Sequence, residues 1–332
     1  MPELTFEDFS AGDVLIGAPL TVAREDIVGF ARAFDFQPFH LDEAAAQGTF
    51  AGRLIASGWH TAALGMRLLQ EGPFRGGSSL GAPGIEELRW LAPVLPGDTL
   101  RVRLEITSLR DSATKPGLGF VGALLGLENG RGETVLTQRF TFMLARAGTE
   151  PLPPRPVTLA APQPAPEPDD AETVPFLCEA EIGATRELGA YTFDAESILA
   201  FARAYDPQAF HLDDAAARRT HFGGLCASGW HTAAGYMNRL LTTRARDVAF
   251  TAARGPVPEA GPSPGFRNMR WIRPVYAGDT VRFATRITDK RASGSRPGWG
   301  LVFARNTGVN QRGEPVFAFD STVFHQWAPP GA

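Results

Sequence analysis

The chain is short of cysteine, of positive charge and of long apolar runs, and each shortage excludes a class of protein. Only two cysteines occur, Cys178 and Cys226, in no disulfide or metal-ligand spacing. A disulfide scaffold is therefore not expected, and a reducing cytoplasm is the simplest compartment. The formal net charge is −4 and the pI near 5.9, so no basic field is available for nucleic acid or an anionic membrane. No run of 18 apolar residues is present, so no membrane span is expected. The opening MPELTFEDFSAGD is acidic and lacks the basic and apolar regions of a secretory signal. There is no Walker A loop, no G-x-S-x-G elbow and no G-x-G-x-x-G between a strand and a helix. The glycines of NGRGE and NQRGE read as hairpin turns.

What is present is ample apolar material, 44% of 332 residues with 20% charged, enough for two ordinary domains. The 36 glycines and 27 prolines point to turns and linkers rather than to a helical bundle.

The chain repeats itself. DFQPFHLDEAAA (35–46) meets DPQAFHLDDAAA (206–217) with nine of twelve positions identical, at an offset of 171. IASGWHTAA (55–63) meets CASGWHTAA (226–234) with eight of nine identical at the same offset. LRWLAPVLPGDTLR (88–101) meets MRWIRPVYAGDTVR (269–282) at an offset of 181. The ten extra residues are expected as a loop insertion in the Pro/Gly-rich stretch 250–266. The period is that of a duplicated domain, too long for a solenoid. Between the copies, nine of the 29 residues 147–175 are proline, which predicts an extended, stiff connector. The domains are therefore 1–146 and 176–332, joined by a linker at 147–175.

Each copy predicts a helix, then a buried helix, then antiparallel strands, an α+β pattern. The first helix is expected at 24–34, with Ile27, Phe30, Ala31 and Phe34 on one face, a cap from Thr21 or Asp26, and Pro38 ending it. Its counterpart lies at about 194–205. The second helix, about 58–70 and mirrored at 229–241, is apolar nearly all round and so should be buried. In DTLRVRLEITSL the apolar residues alternate, as in a half-buried strand, and hairpins are expected around NGRG and NQRG. Two sheets pairing edge to edge would leave no bare edge between the copies.

Four of the six histidines form repeat-related pairs, His40/His211 and His60/His231. Asp35 and Asp206 fall at helix C-termini, where a carboxylate meets the unfavourable end of the dipole, and His40 and His211 follow five residues later. Such a pair can hold a water and exchange its protons. Ser57-Gly58 and Ser228-Gly229 open the buried helices, where free N–H groups can meet a developing oxyanion; on physics alone an ordinary serine cap is the better reading of the serine. A side chain at Gly58 is expected to displace such a ligand with little change in stability. His60 and His231 read as hydrogen-bonded helix residues. A metal site of His40, Asp42 and His60 can be drawn, but no HExxH or cysteine pair supports it. Arg89 and Arg270 read as solvated strand charges beside Trp90 and Trp271.

FARAFDFQPFHLDEAAA and FARAYDPQAFHLDDAAA resemble the hydratase-2 motif of the MaoC-like dehydratases, D-x-N-P-x-H-x-D/E-x-x-x-A. Gln37 and Gln208 replace the motif asparagine, and Ala209 replaces the proline. The resemblance implies a tandem double hot-dog, each half a curled antiparallel sheet wrapped round a long helix, the two forming an internal pseudo-dimer. Whether whole chains also pair as homodimers stays open. It implies reversible hydration of trans-2-enoyl thioesters to (R)-3-hydroxyacyl thioesters, carried on coenzyme A or an acyl carrier protein, with no metal or redox cofactor. It assigns the water to Asp35 and His40, and to Asp206 and His211. Gly58 and Gly229 would bind the thioester oxygen. Both pairs are intact, so two sites per chain are expected, with Ala209 marking the second copy as the weaker. The alternatives are a hot-dog thioesterase, disfavoured by the lack of Asp or Glu on either buried helix, and a non-catalytic acyl-binding module.

Overall fold

A computed structural model describes residues 4–75, 77, 79–159, 161 and 170–329. Residues 160 and 162–169 of the predicted connector lie outside the described residues. The first copy runs β1 (Val14–Ile16), β2 (Leu20–Thr21), α1 (Arg24–Phe34), α2 (Pro38–Leu41), α3 (Glu43–Gln47), α4 (Gly58–Glu71), β3 (Gly84–Trp90), β4 (Thr99–Asp111), β5 (Leu118–Glu128) and β6 (Thr134–Ala145). The second runs β7 (Thr185–Phe193), α5 (Ala195–Tyr205), α6 (Ala209–Leu212), α7 (Asp214–Arg218), α8 (Gly229–Ala252), β8 (Gly265–Trp271), β9 (Asp279–Ala292), β10 (Trp299–Asn310) and β11 (Pro315–Gln326).

All eleven strands form one antiparallel sheet in the order β1-β4-β5-β6-β3-β8-β11-β10-β9-β7, with β2 beside β4. The predicted alternation holds in β4, where Leu100, Val102, Leu104 and Ile106 are all buried. The hairpin turns at NGRG and NQRG place Gly132 and Gly313 at φ +77° and +76°, a conformation glycine adopts without steric cost. Helices α4 and α8 lie inside the two curled halves and touch each other, so the arrangement is a double hot-dog.

The halves join through β3 and β8. Gly84 lies opposite Arg270, Leu88 opposite Phe266 and Arg89 opposite Gly265. Since residue 84 of one copy matches 265 of the other, and 89 matches 270, this register is symmetric about a pseudo-twofold axis. The glycines permit the approach: a Cβ on Gly84 would collide with the Met269 carbonyl, and one on Gly265 with the Leu88 carbonyl. Glu87 accepts from Arg267 across the seam, and Trp90 N–H and Trp271 N–H donate to the Pro264 and Pro83 carbonyls. Edge pairing therefore closes the seam, as expected.

Three expectations need correction. The ten extra residues are helix, not loop: α8 is 24 residues long against 14 for α4, while the loops that follow, 72–83 and 253–264, are equal in length. The RARDVAFTA segment continues the helix because its residues favour helix and the prolines begin only at Pro256. Its last turns hold the start of the second copy, with Asp247 paired to Arg186 and accepting from the Glu172 amide. Neither Thr21 nor Asp26 caps α1; the N-cap is Ala23, with no side-chain bond. Pro38 does not directly close α1, which ends at Phe34; it opens α2 at a position where its missing N–H costs nothing. Among the described residues no helix is long and apolar enough to cross a membrane.

Candidate active site

Asp35 is the C-cap residue of α1, its amide donating to Ala31, and is 2% exposed. Its carboxylate is compensated for the unfavourable dipole by two donors. Ser57 Oγ donates to Oδ2 at 2.6 Å and Gln37 Nε2 to Oδ1 at 2.9 Å. Through α2 the chain then turns His40 back toward the same carboxylate, with Nε2 at 3.5 Å from Oδ2. The other ring nitrogen, Nδ1, lies 2.8 Å from the Ile55 carbonyl. A carbonyl only accepts, so Nδ1 carries a proton, and in the neutral ring Nε2 offers a lone pair. Two acceptors thus face each other with no proton between them, which leaves the place open to a donor such as water.

The second copy repeats this geometry. Ser228 Oγ donates to Asp206 Oδ2 at 2.6 Å, Gln208 Nε2 to Oδ1 at 2.9 Å, and His211 Nε2 lies 3.5 Å from Oδ2. His211 Nδ1 is 2.8 Å from the Cys226 carbonyl. Burial pushes the His211 imidazole below its usual pKa, against the pull of Asp206. Ala209 occupies the same first helical position as Pro38, and α6 forms without the proline. The glutamines likewise keep an amide on the carboxylate. Burial also holds the Cys226 thiol protonated.

Ser57 and Ser228 are the serine N-caps that local physics favours, not thioester ligands. Each hydroxyl is committed inside the chain, donating to the aspartate and accepting from the Trp59 or Trp230 amide. Gly58 and Gly229 begin α4 and α8, and their N–H groups donate to nothing among the described residues. Their carbonyls accept from Trp90 Nε1 at 2.8 Å and Trp271 Nε1 at 2.9 Å. A Cβ on Gly58 would sit 2.6 Å from Trp90 Cε2, and one on Gly229 would collide with the Trp271 ring. The glycine is therefore also a clearance for the indole, and a side chain there would not leave stability unchanged. The bonds from Trp90 and Trp271 to these glycine carbonyls are what sequence reasoning missed; the recurring RW pair was the available signal.

His60 and His231 are not hydrogen-bonded as expected. They are fully buried, stacked on Phe30 at 4.8 Å and Phe201 at 4.7 Å, and neither ring nitrogen has a partner among the described residues. Burial pushes both down to about 3. The drawn metal site does not assemble: Asp42 caps α3, and among the described residues no three His, Cys, Asp or Glu side chains converge. Arg89 and Arg270 are exposed on the seam strands.

The second-copy site opens into a cavity of about 320 Å³ lined by Asp206, His211, Ser228 and Gly229 together with apolar residues of the first copy. Fold and site define a double hot-dog protein with an Asp–His pair at the head of each buried helix. The MaoC like domain matches this sequence twice, over residues 10–120 and 178–297, and the chain belongs to the MaoC-like dehydratase family. A 3-hydroxybutyryl-CoA dehydratase of Methylorubrum extorquens is 35% identical over 117 residues, 33% of this chain and 69% of its own. A Chloroflexus aurantiacus protein described as a MaoC domain protein dehydratase superposes with a TM-score of 0.75 at 20% identity, over 98% of both chains. A conserved hypothetical protein of Mycobacterium tuberculosis with a double hot-dog fold gives 0.70 at 18% identity, over 97% of this chain and 98% of its own.

Proposed function

We propose that the chain reversibly hydrates trans-2-enoyl thioesters to (R)-3-hydroxyacyl thioesters, with coenzyme A as the carrier. The observation that carries this reading is the buried pair, His Nε2 and Asp Oδ2, 3.5 Å apart in both copies, with Asp Oδ1 and His Nδ1 already bonded elsewhere. A water there donates one O–H to each acceptor and turns its lone pair outward. In hydration the water oxygen bonds to C3 and loses one proton to the pair. The electrons of the C2=C3 bond move onto the thioester oxygen as an enolate, and the enolate collapses as C2 takes the proton back. The N–H at Gly58 or Gly229, at a helix N-terminus, suits the enolate oxygen. A pair fixed on one face gives one enantiomer. The exposed Arg155 and Arg273 at the cavity suit the phosphates of coenzyme A.

The test is loss of the enoyl-thioester absorbance band with crotonyl-, octenoyl- and branched enoyl-CoA, followed by chiral chromatography. Turnover to the R product is expected. A racemic or S product, or normal turnover in a variant with Asp35, His40, Asp206 and His211 all replaced, would overturn the reading.

A further inference from the structure

The two catalytic pairs have the same geometry, but the space in front of them differs. In the second copy the cavity runs past Trp230 to Ile85, Gln138, Phe140 and Met66, all from the first copy. Trp230 meets Trp271, at 5.9 Å, as its ring partner. By the pseudo-twofold relation the positions of Ile85 and Gln138 are taken, for the first-copy site, by Phe266 and Phe319. Phe266 stacks on Trp59 at 5.3 Å with rings 8° from parallel, and also meets Trp90 at 5.8 Å. Phe319 meets Trp59 at 5.7 Å and is backed by Tyr236 at 5.0 Å, whose hydroxyl is tied to Asn306. Tyr236 itself stands where the first copy has Gly65. Two aromatic rings, that of Phe319 backed by Tyr236, thus fill beside Trp59 the volume that stays open beside Trp230. Both phenylalanines are almost wholly buried, and a packed core does not yield such volume cheaply.

We propose that the working acyl site is that of the second copy, that its acyl tail lies against the first copy, and that it takes an apolar chain of medium length. This rests on the thioester reading above. The cavity amounts to roughly ten water-sized volumes, room for a thioester head and several methylenes beyond it. The first-copy pair, with Phe266 and Phe319 in front of Trp59, has room for no such tail. Ile85 and Gln138 on one side, Phe266 and Phe319 on the other, are the specificity-determining positions.

The test uses the full chain and octanoyl-CoA, a saturated ligand that cannot be hydrated. Calorimetric titration should find one site per chain. Two equal sites, or none, would overturn the proposal. Gln138→Phe, which places the first-copy obstruction in the second-copy cavity, should weaken octanoyl-CoA binding at least tenfold; unchanged binding overturns it. Ile85→Phe is the same test should Gln138→Phe fail to fold. With trans-2-octenoyl-CoA, Asp206→Asn should lower turnover about a hundredfold or more. A loss of only half would show the first-copy site sharing the work and overturn the proposal. If octenoyl-CoA is not hydrated at all, the thioester chemistry falls, while the titrations still decide where an acyl chain binds.

Discussion

The Ser57 hydroxyl reaches across 22 residues to donate to Asp35 at 2.6 Å, and Ser228 makes the same bond to Asp206 at the same length. One oxygen thus ties the start of each buried helix, α4 or α8, to the C-terminal end of α1 or α5, and aims the carboxylate at the histidine. Removing it leaves a buried carboxylate one donor short and a helix amide uncapped. Hydrogen bonds to charged groups are worth about 1.5–3 kcal/mol. Ser228→Ala is therefore expected to lower the urea midpoint and to cut enoyl-CoA turnover at least tenfold, whereas Ser228→Thr, which keeps the hydroxyl, should recover part of both. Turnover unchanged in the alanine variant would detach the serine from the chemistry.

Acid should destabilise the fold through His60 and His231. Both are pushed down to about 3 by burial from an ordinary value of 6.5. Between those values the unfolded chain binds protons that the folded chain refuses, so stability rises with pH across this window and is lost as pH falls. At His60, His40 pushes the same way, while at His231 Asp194 opposes the burial and His211 adds to it. Denaturant midpoints measured from pH 7 down to about 4 should fall steeply, and His60→Phe with His231→Phe, a stacked apolar replacement on Phe30 and Phe201, should flatten the curve. An equally steep curve in the double variant would place the acid sensitivity elsewhere.

The seam should be intolerant of the smallest added group. At Gly84 and Gly265 a Cβ meets the backbone carbonyls of Met269 and Leu88, and Gly265 also holds φ at +147°. Backbone cannot move aside as a side-chain tip can. Gly84→Ala and Gly265→Ala should each cost at least about 1–3 kcal/mol, read as a drop in midpoint. Each half made alone should aggregate or dimerise, since β3 or β8 would be left as a bare edge. A monomeric, well-behaved half in sedimentation would count against that account of the seam.

Much of this was legible in the residues. The face Ile27, Phe30, Ala31 gave α1 its bounds, and the duplicated D-x4-H placed Asp35 and His40 together because a helix end followed by a one-turn helix leaves little freedom. Long-range partners were not legible. Nothing local ties Ser57 to Asp35 or Trp90 to Gly58, 32 positions apart. The helix extension at 243–252 was obscured by prolines that follow it. Phe319 falls in an expected hairpin strand and Phe266 at the end of the stretch read as a loop; only the seam register brings them against Trp59.

Gly229 carries two demands that a double-mutant cycle can separate. Its missing Cβ makes room for Trp271, and its N–H, which donates to nothing among the described residues, can meet the thioester oxygen. Gly229→Ala alone should therefore lose stability, because the indole must shift, and lose turnover as well. In a Trp271→Leu background the clash is relieved, so the same alanine should cost measurably less stability; residues in contact couple by about 0.5–3 kcal/mol. Turnover should not recover with it, since the added methyl still crowds the space that the thioester oxygen needs beside the N–H, and loss of one such donor costs roughly 2.7–4 kcal/mol in well-studied oxyanion holes. The comparison needs melting curves and octenoyl-CoA rates for the four proteins of the cycle. Additive stabilities would mean that Trp271 does not explain the glycine, and turnover restored together with stability would mean that clearance is its only role.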